Sequence, residues 1–334
     1  MIEALIDYTL FLAKTATLVI ALLFVISVIT SLSRRDKTAE RLMVRNINQK
    51  YDTMRQIMEH EVLPKNAQKK LHKEHKKEQK AQKKEQQQQA RHRLFVLNFK
   101  GDLRASAVSS LREEITALLA IAGSDDEVLV RLENAGGTVH EHGLAASQLL
   151  RIRQRGIPLI IAVDKVAASG GYLMAATANK IIAAPFAIVG SIGVLAQIPN
   201  FNRVLENHGI DFEQITAGKY KRTVTMFGKN TDEDRDKLKQ ELEAIHGLFK
   251  TAVTQHRESV DIEAVATGEH WYGRQALELK LVDELMTSDD YLLEKSKTLD
   301  LFEVRYLEKK KIGKRLGAAA RSAWEEFSGI FSMH

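Results

Sequence analysis

The sequence contains no cysteine. This absence excludes disulfides, cysteine-ligated zinc or iron–sulfur sites and a thiol nucleophile, so any covalent catalysis must use oxygen or nitrogen. The glycine-containing turns also lack a Walker motif and a GxGxxG motif, which disfavours a phosphate-binding loop. The chain is 334 residues long. That length predicts about two domains and at least one buried core.

Positive charge is concentrated in one segment. The formal net charge is +6, but residues 65–93 hold eleven Lys or Arg and three Glu, which gives this segment +8 and leaves −2 for the rest. The segment has almost no apolar residues, so we interpret it as a solvated linker or a frayed helix. Contact with anionic lipid headgroups is the next interpretation. Nucleic-acid binding is disfavoured because no Tyr or Phe is interleaved for base stacking.

One long uncharged run, TATLVIALLFVISVITSL, occupies residues 15–32. A transmembrane helix needs ~20 mostly apolar residues. Glu3 and Asp7 precede the run, which argues against a cleaved signal peptide. We therefore predict an uncleaved, single-pass N-terminal anchor. The basic residues among positions 34–37 favour a cytoplasmic body by the positive-inside rule.

The remainder of the chain is predicted to form a stalk, a body and a tail. Apolar residues three and four apart predict a stalk helix: Val44, Ile47, Tyr51, Met54 and Met58. The predicted domains are an anchor and flank at 1–37, a helical stalk and basic linker at 38–93, the body at 94–308 and a basic amphipathic tail at 309–334. The tail is expected to contact a membrane surface or another protomer.

The body has the pattern of an α/β protein. Buried-strand patterns occur at 94–101, 128–132, 157–163, 180–184, near 194 and ahead of Lys219. Helical patterns occur at 105–122, 139–155, just after Gly171 and at 231–257, the last with Thr231 as its N-cap. Strands that alternate with helices at these lengths predict stacked β-α units with mainly parallel pairing.

Three glycine-containing turns follow predicted strands, and they are the candidate site. Their sequences are NAGG at 134–137, ASGGY at 168–172 and GSIG at 190–193. Ligands of parallel sheets bind at the carboxyl ends of strands, so the three turns could converge. Ser169 is the candidate nucleophile, with an N-cap serine as the ordinary alternative. Backbone amides of Gly136 or Gly137 and of Gly170 are candidate oxyanion donors.

The base that would activate Ser169 is less clearly marked. His140 and His142 lie early in a predicted helix, where exposure is the common outcome, and their spacing splays the side chains apart, so we assign no metal site. A lysine whose amine is neutral is the alternative base. Spacing alone leaves three lysine candidates: Lys165, Lys219 and Lys221.

At this point the sequence resembles the signal peptide peptidase A family of membrane serine proteases, and its SohB-type members in particular. The motifs that carry the resemblance are the anchor and basic stalk, residues 134–137, 164–172, 190–194, 217–223, and 267–283 with its WYGR segment. The resemblance implies a ClpP/crotonase-like fold, no cofactor, and a homo-oligomer in the bacterial inner membrane. It also implies a periplasmic body, which conflicts with the flanking charges.

The resemblance also implies roles for particular residues. Ser169 matches the family's nucleophile and Lys221 its general base, which favours Lys221 over the other two lysines. Ser191 matches a serine that orients this lysine. Gly136 and Gly170 match the oxyanion positions, and Gly137 is an alternative for the first of them. Where many members have Ser-Pro before these glycines this chain has Asn-Ala, which is expected to loosen the turn.

The function predicted in this way is a membrane-anchored serine endopeptidase that uses a Ser–Lys dyad. Apolar peptides, such as signal-peptide remnants or damaged membrane proteins, are the expected substrates. Two alternatives belong to other classes. One is a crotonase-like acyl-CoA enzyme, which would use the same oxyanion amides without a nucleophile, and the other is a non-catalytic membrane scaffold.

Overall fold

A computed structural model describes residues 10–20, 41–68 and 91–307. Residues 10–20 are helical. The rest of the predicted anchor, most of the basic linker and the predicted tail lie outside the described residues. Within the described ranges, no helix is both long enough and apolar enough to cross a membrane.

A seven-stranded sheet organises the larger compact unit, residues 43–305. Its strand order is β1-β10-β2-β3-β4-β6-β9, and the pairs from β10 through β9 are parallel. The strands are β1 (Arg41–Asn46), β2 (Arg93–Lys100), β3 (Glu127–Glu133), β4 (Leu159–Val163), β6 (Lys180–Ala183), β9 (Glu284–Leu285) and β10 (Asp300–Leu307). The predicted α/β class with mainly parallel pairing is therefore confirmed.

A second, smaller sheet contains three strands of three residues each. They are β5 (Val166–Ala168), β7 (Ile188–Gly190) and β8 (His270–Tyr272), in the order β5-β7-β8. Strands β5 and β7 are parallel, whereas β7 and β8 are antiparallel. This sheet carries two of the three glycine turns, because Ser169 and Ser191 each directly follow one of its strands.

Besides a helical segment at residues 65–68, nine helices accompany the sheets in the part of the chain that the structure describes from residue 41 onward. They are α1 (Ile47–Val62), α2 (Val108–Leu119), α3 (Val139–Arg153), α4 (Gly170–Ala176), α5 (Asn202–Asn207), α6 (Asp232–Thr254), α7 (Ile262–Val265), α8 (Gly273–Glu278) and α9 (Ser288–Lys295). Helix α6 begins where predicted. Thr231 accepts from the Asp234 amide while the Asp234 carboxylate accepts from the Thr231 amide, which forms a capping box.

The large sheet separates two apolar cores, because side chains alternate between the faces of a strand. On β3, Val128, Val130 and Leu132 enter the larger core together with residues of α2, α3 and α4. Leu129 enters the smaller core on the opposite face, which includes Tyr291 and Leu292 of α9. Fully buried parallel strands read as continuous apolar runs, and this is why β2, β3 and β4 were predictable from the sequence.

Three predictions of secondary structure are wrong. The strand expected near Val194 does not form: the strand lies earlier, at Ile188–Gly190, and residues 191–201 have no regular structure. Residues 209–216, ahead of Lys219, are likewise irregular. Val44 lies in β1 rather than in the stalk helix, which begins only at Ile47 behind an Asn46 cap whose side chain accepts from the Gln49 amide.

Candidate active site

The structure brings the three glycine turns together, as the sequence predicts. The N–H of Asn134 donates to the carbonyl oxygen of Val166 (2.9 Å), and its own carbonyl accepts from the N–H of Ala168 (3.0 Å). Beside this bridge, the N–H of Ser169 donates to the carbonyl oxygen of Gly190 at 2.8 Å. The end of β3 is thereby joined to β5, and β5 to β7, directly at the candidate nucleophile.

Ser169 has an unusual backbone conformation. It lies between β5 and α4 with φ 51° and ψ −122°. A non-glycine residue at positive φ is uncommon, and such strain clusters at functional sites when the surroundings enforce it. The ordinary alternative, an N-cap serine, needs the side chain to accept from a helix amide, and no such bond is present. Within the described residues the Ser169 hydroxyl has no hydrogen-bond partner, so it is available for chemistry.

Gly136 lies against the candidate nucleophile. Its φ is 94°, and a Cβ atom built there would be 2.7 Å from the Ser169 Cβ and 3.0 Å from the Gly170 nitrogen. Real Cβ atoms essentially never approach so closely, so only glycine is accommodated at this position. The NAGG turn therefore packs directly on the turn that carries Ser169.

The backbone amides near Ser169 differ in whether they already have a hydrogen-bond acceptor. The Gly170 N–H is the first of α4 and so has no acceptor within its helix. The Gly136 N–H donates to the side-chain Oδ1 of Asn134 at 2.6 Å. In the parts of the chain described here, the Gly137 N–H has no acceptor. Of the three candidate oxyanion amides, those of Gly137 and Gly170 are therefore free within the described residues.

A buried Asn–His pair lies behind this turn. Thr138 presents a carbonyl oxygen 2.9 Å from Nδ1 of His142, so Nδ1 must carry a hydrogen. In that tautomer Nε2 is an acceptor, and the Asn134 Nδ2 group lies 3.1 Å from it. The Asn134 Oδ1 is then left to accept from Gly136. Every polar group of the pair has a partner, as burial requires.

The burial of His142 corrects the expectation that both histidines are exposed. His140 is exposed, but His142 is fully buried, and a Cβ atom at Gly170 would be 2.5 Å from its ring. The sequence carried a signal for this, because His142 continues the buried stripe of α3 through Ala145 and Leu149. His142 is thus a packing partner of the turn that carries Ser169 rather than a surface group.

The three candidate lysines have different surroundings. Lys165 forms an ion pair with Glu133 at 3.2 Å. Lys219 pairs with Glu233 at 2.8 Å, and this hydrogen bond raises the pKa of Lys219, which keeps its amine charged. Lys221 is exposed and has no acidic or hydrogen-bonding side-chain partner within the described residues. The single chain does not place Lys221 within hydrogen-bond distance of Ser169.

Ser191 occupies the third turn. Its φ is 52°, and its N–H donates to the carbonyl oxygen of Glu269. The preceding Gly190 has φ 100°, and a Cβ atom there would be 2.7 Å from the ring of Trp271 on β8. The WYGR segment therefore packs against the GSIG turn. The chain by itself does not bring the Ser191 hydroxyl to Lys221.

A polar cluster fixes the far end of the ASGGY turn. The hydroxyl of buried Tyr172 donates to the carbonyl oxygen of Leu281 at 2.9 Å, and burial raises the pKa of Tyr172. Close by, the Arg257 guanidinium donates two bonds to Asp283, at 2.8 and 2.7 Å. Asp283 also accepts from the N–H of Ile181 on β6. Helix α4 is thereby tied to the end of the large sheet.

Comparison with known proteins gives consistent matches. The profile described as "Peptidase family S49 N-terminal" matches residues 3–149, and that described as "Peptidase family S49" matches residues 151–301. A protein of Haemophilus influenzae described as "Probable protease SohB" is 55% identical over 230 residues, which cover 69% of this chain and 65% of that protein. The chain thus matches about two thirds of that relative's length.

Two further matches extend the comparison. "Probable protease SohB" of Buchnera aphidicola subsp. Schizaphis graminum is 46% identical over 313 residues, 92% of this chain and 91% of that protein. Among solved structures, a mutant of the 1510-N membrane-bound stomatin-specific protease in complex with a substrate peptide matches 69% of this chain and 99% of its own. Its TM-score is 0.43 and its sequence identity 15%.

The Asn134–His142 pair generates a prediction about stability. Asn134→Ala and His142→Ala each leave a buried polar group without its partner, which costs about 1 to 3 kcal/mol. Because the two side chains share one network, we expect the double variant to be less destabilised than the sum of the single variants by roughly 1 kcal/mol or more. Denaturant unfolding of the four proteins measures this coupling.

A matched control uses an asparagine that does not touch His142. Asn98 donates to Glu303 at 2.9 Å on the other face of the sheet. Asn98→Ala combined with His142→Ala should be additive within ~0.5 kcal/mol. Equal additivity for Asn134 and Asn98 would show that Asn134 and His142 do not form a unit.

Proposed function

Because the chain belongs to peptidase family S49, among its SohB-type proteases, we propose that it is a serine endopeptidase with a Ser–Lys dyad. The observation that carries the proposal is Ser169, held at a strained φ of 51° with a free hydroxyl among three glycine turns. We further propose that the fold is the ClpP/crotonase-like one, which the repeated β-α units and the small second sheet support.

The proposed reaction begins with proton transfer from the Ser169 hydroxyl to the neutral amine of Lys221. The serine oxygen then forms a bond to the peptide carbonyl carbon, and the carbonyl π electrons move to its oxygen. Collapse of this intermediate breaks the C–N bond, and the lysine returns the proton to the departing amine. Water, activated by the same lysine, hydrolyses the acyl-enzyme ester and regenerates Ser169.

Two backbone amides would stabilise the oxyanion. We assign the Gly170 N–H as one donor and an amide of the NAGG turn as the other. The Gly136 N–H would first have to leave the Asn134 side chain, to which it donates at 2.6 Å. The Gly137 N–H needs no such exchange and so has the advantage. Removal of one such donor typically costs ~10²- to 10³-fold in rate.

Lys221 is supported as the base by elimination as well as by its motif. Lys165 and Lys219 are both already paired with a carboxylate. Lys221 has none within the described residues, so burial against another surface could leave it neutral. We propose that Ser191 then orients it by a hydrogen bond.

The expected effect of removing either dyad member is a loss of peptide cleavage. Ser169→Ala and Lys221→Ala should each lower kcat by at least ~10³-fold, because they act as a unit. Lys219→Ala is the matched control, since it removes a neighbouring lysine that is already paired with Glu233. Cleavage of an apolar fluorogenic peptide by the full-length protein provides the measurement.

The same variants separate the alternatives. A serine-directed phosphonate should label Ser169 in the wild-type protein, and an unlabelled Ser169 in a protein that turns over acyl-CoA would favour the crotonase-like activity. Full peptide cleavage by Ser169→Ala or Lys221→Ala would disprove the dyad. A cellular role retained by Ser169→Ala would indicate a non-catalytic scaffold.

We also propose that the active particle is a homo-oligomer. The arm at residues 193–228 exposes an unusual number of large apolar side chains, with Ile215 94% exposed and Leu195 74% exposed. Apolar residues concentrated in this way mark surfaces that another molecule covers. Lys221 lies on this arm, so docking of the arm on a neighbour could bring its amine to Ser169 of the partner subunit.

Mixing inactive protomers tests this arrangement. When Ser169→Ala and Lys221→Ala proteins are dissociated, combined and reassembled, sites that receive an intact serine and an intact lysine from different protomers should recover part of the peptidase activity. Each variant reassembled alone is the control. An assembled mixture that stays as inactive as its components would place both dyad members within one chain.

Finally, we propose that residues 15–32 anchor the protein in the bacterial inner membrane, which would supply apolar peptides and membrane proteins as substrates. The support is the 18-residue uncharged run in the sequence. The wild-type chain should remain in the membrane pellet after alkaline extraction, while a chain lacking residues 1–37 should be released. Release of both would contradict the anchor.

A protease-accessibility experiment shows on which side of the membrane the body lies. Digestion of the body by protease added to intact spheroplasts would indicate the periplasmic side that the family resemblance implies. Protection until the spheroplasts are lysed would indicate the cytoplasmic side that the basic residues among positions 34–37 favour.

A further inference from the structure

The face of the large sheet that packs against the smaller core changes from apolar to polar along its strands. On β2 the side chains of this face run Leu94, Val96, Asn98, and on β3 Leu129 is followed by Arg131. On β10 the buried Leu301 is followed by Glu303 and Arg305. The smaller core therefore ends in a polar region at the carboxyl ends of these parallel strands.

A cavity of about 740 Å³ opens over this polar region. Its floor is formed by β3 and β10, and its walls by α1 and α9. Small-molecule sites typically have volumes of ~300 to 1,000 Å³. All of the lining residues belong to the larger compact unit, and none belongs to the three glycine turns. The cavity is therefore separate from the proposed catalytic residues.

Arg131 on the cavity floor has unused donors. Its side chain is 31% exposed, and its nearest carboxylates, Asp289 and Glu303, lie 3.9 and 3.8 Å away, which is beyond hydrogen-bond distance. Its Nε is buried without a partner. Among the described residues, the guanidinium thus has no direct hydrogen-bond acceptor. Buried polar groups of this kind are rare and call for an explanation, such as a bound anion.

The surrounding charge also favours an anion. Five basic side chains and two acidic ones line the cavity. The Glu303 carboxylate is engaged by Arg305 at 3.2 Å and by Asn98 at 2.9 Å. Arg45 and Lys50 have no acidic partner within the described residues. The cavity therefore keeps an excess of positive charge that an incoming carboxylate or phosphate would neutralise.

Part of the cavity lining is apolar. It is formed by Met54 and Met58 of α1 and Leu293 of α9, all of which are exposed. Methionine side chains adapt to flexible apolar ligands. Tyr51 also lines the cavity, and burial raises its pKa, so its hydroxyl remains a hydrogen-bond donor at neutral pH. Apolar and cationic groups thus face the same space.

We propose that this cavity binds a single-chain amphiphile with a carboxylate or phosphate head group. The head group lies on Arg131 and accepts the guanidinium hydrogen bonds that the protein leaves unused. The alkyl chain lies along the methionine wall between α1 and α9. This site is independent of the proposed peptidase activity, because neither Ser169 nor Lys221 belongs to it.

Calorimetric titration of the full-length protein in phosphatidylcholine nanodiscs tests the proposal, with empty nanodiscs as the blank. The probes are dodecyl phosphate, dodecanoate, dodecanol and inorganic phosphate. We expect dodecyl phosphate and dodecanoate to bind with one site per chain. Arg131→Gln should weaken both by ~10-fold or more, because it removes the charge-assisted hydrogen bonds to the head group.

Arg235→Gln is the matched control. It makes the same change of charge at an exposed arginine that pairs with Asp232 on α6, outside the cavity, and it should bind the probes as the wild type does. Circular dichroism and the thermal midpoint establish that Arg131→Gln is folded. Met58→Gln, a second variant on the apolar wall, should weaken the two alkyl anions without changing the weak binding of inorganic phosphate.

Each other outcome overturns a specific part of the proposal. Inorganic phosphate binding as tightly as dodecyl phosphate would reduce the site to a simple anion site. Dodecanol binding as tightly as dodecanoate would remove the role of the head group. Equal binding by the wild type and a folded Arg131→Gln protein, or no binding of either alkyl anion, would show that the cavity is not such a site.

Discussion

The backbone of Asn134 connects the two sheets, and the geometry of the candidate site depends on this connection. Its N–H and C=O bond to Val166 and Ala168 on β5, while its side chain accepts from Gly136 and contacts His142. A Cβ atom at Gly171 would clash with the Asn134 carbonyl oxygen. One residue therefore fixes the distance between the NAGG turn and the turn that carries Ser169. The Asn-Ala pair that was expected to loosen the NAGG turn instead gives it a side-chain anchor.

How well each strand or helix could be predicted from the sequence depends on which interactions stabilise it. The central residues of β2, β3 and β4 are buried on both faces, so each strand contains an uninterrupted apolar run that is visible without a structure. Helix α6 is marked by its capping box. The three-residue strands of the small sheet have no such signal, because their pairing is decided by contacts between distant segments. The strand misplaced to Val194 is of this kind.

The same reasoning applies within the site. Motif and strand position marked Ser169 and the glycines around it only as candidates, and their catalytic roles stay predictions. The burial of His142 was not predicted, because its polar character was weighed above its place on the apolar stripe of α3. The occupation of the Gly136 amide was not predictable either, since it depends on the rotamer of Asn134. Sequence indicates which residues meet, but hydrogen-bond partners within a buried cluster are decided by packing.

The two members of the proposed dyad depend on different forces. Ser169 is held by local backbone bonds and by glycine contacts within a single chain. Lys221 lies on an arm that has little regular structure and exposes its apolar side chains to water. A lysine amine becomes neutral near pH 7 only when it is desolvated or placed near other positive charge, and the side chain of Lys221 is exposed to water in the isolated chain. In the proposed mechanism, burial of the arm against a neighbouring protomer would therefore both stabilise the assembly and create the base, so that peptidase activity would arise only in the assembled protein.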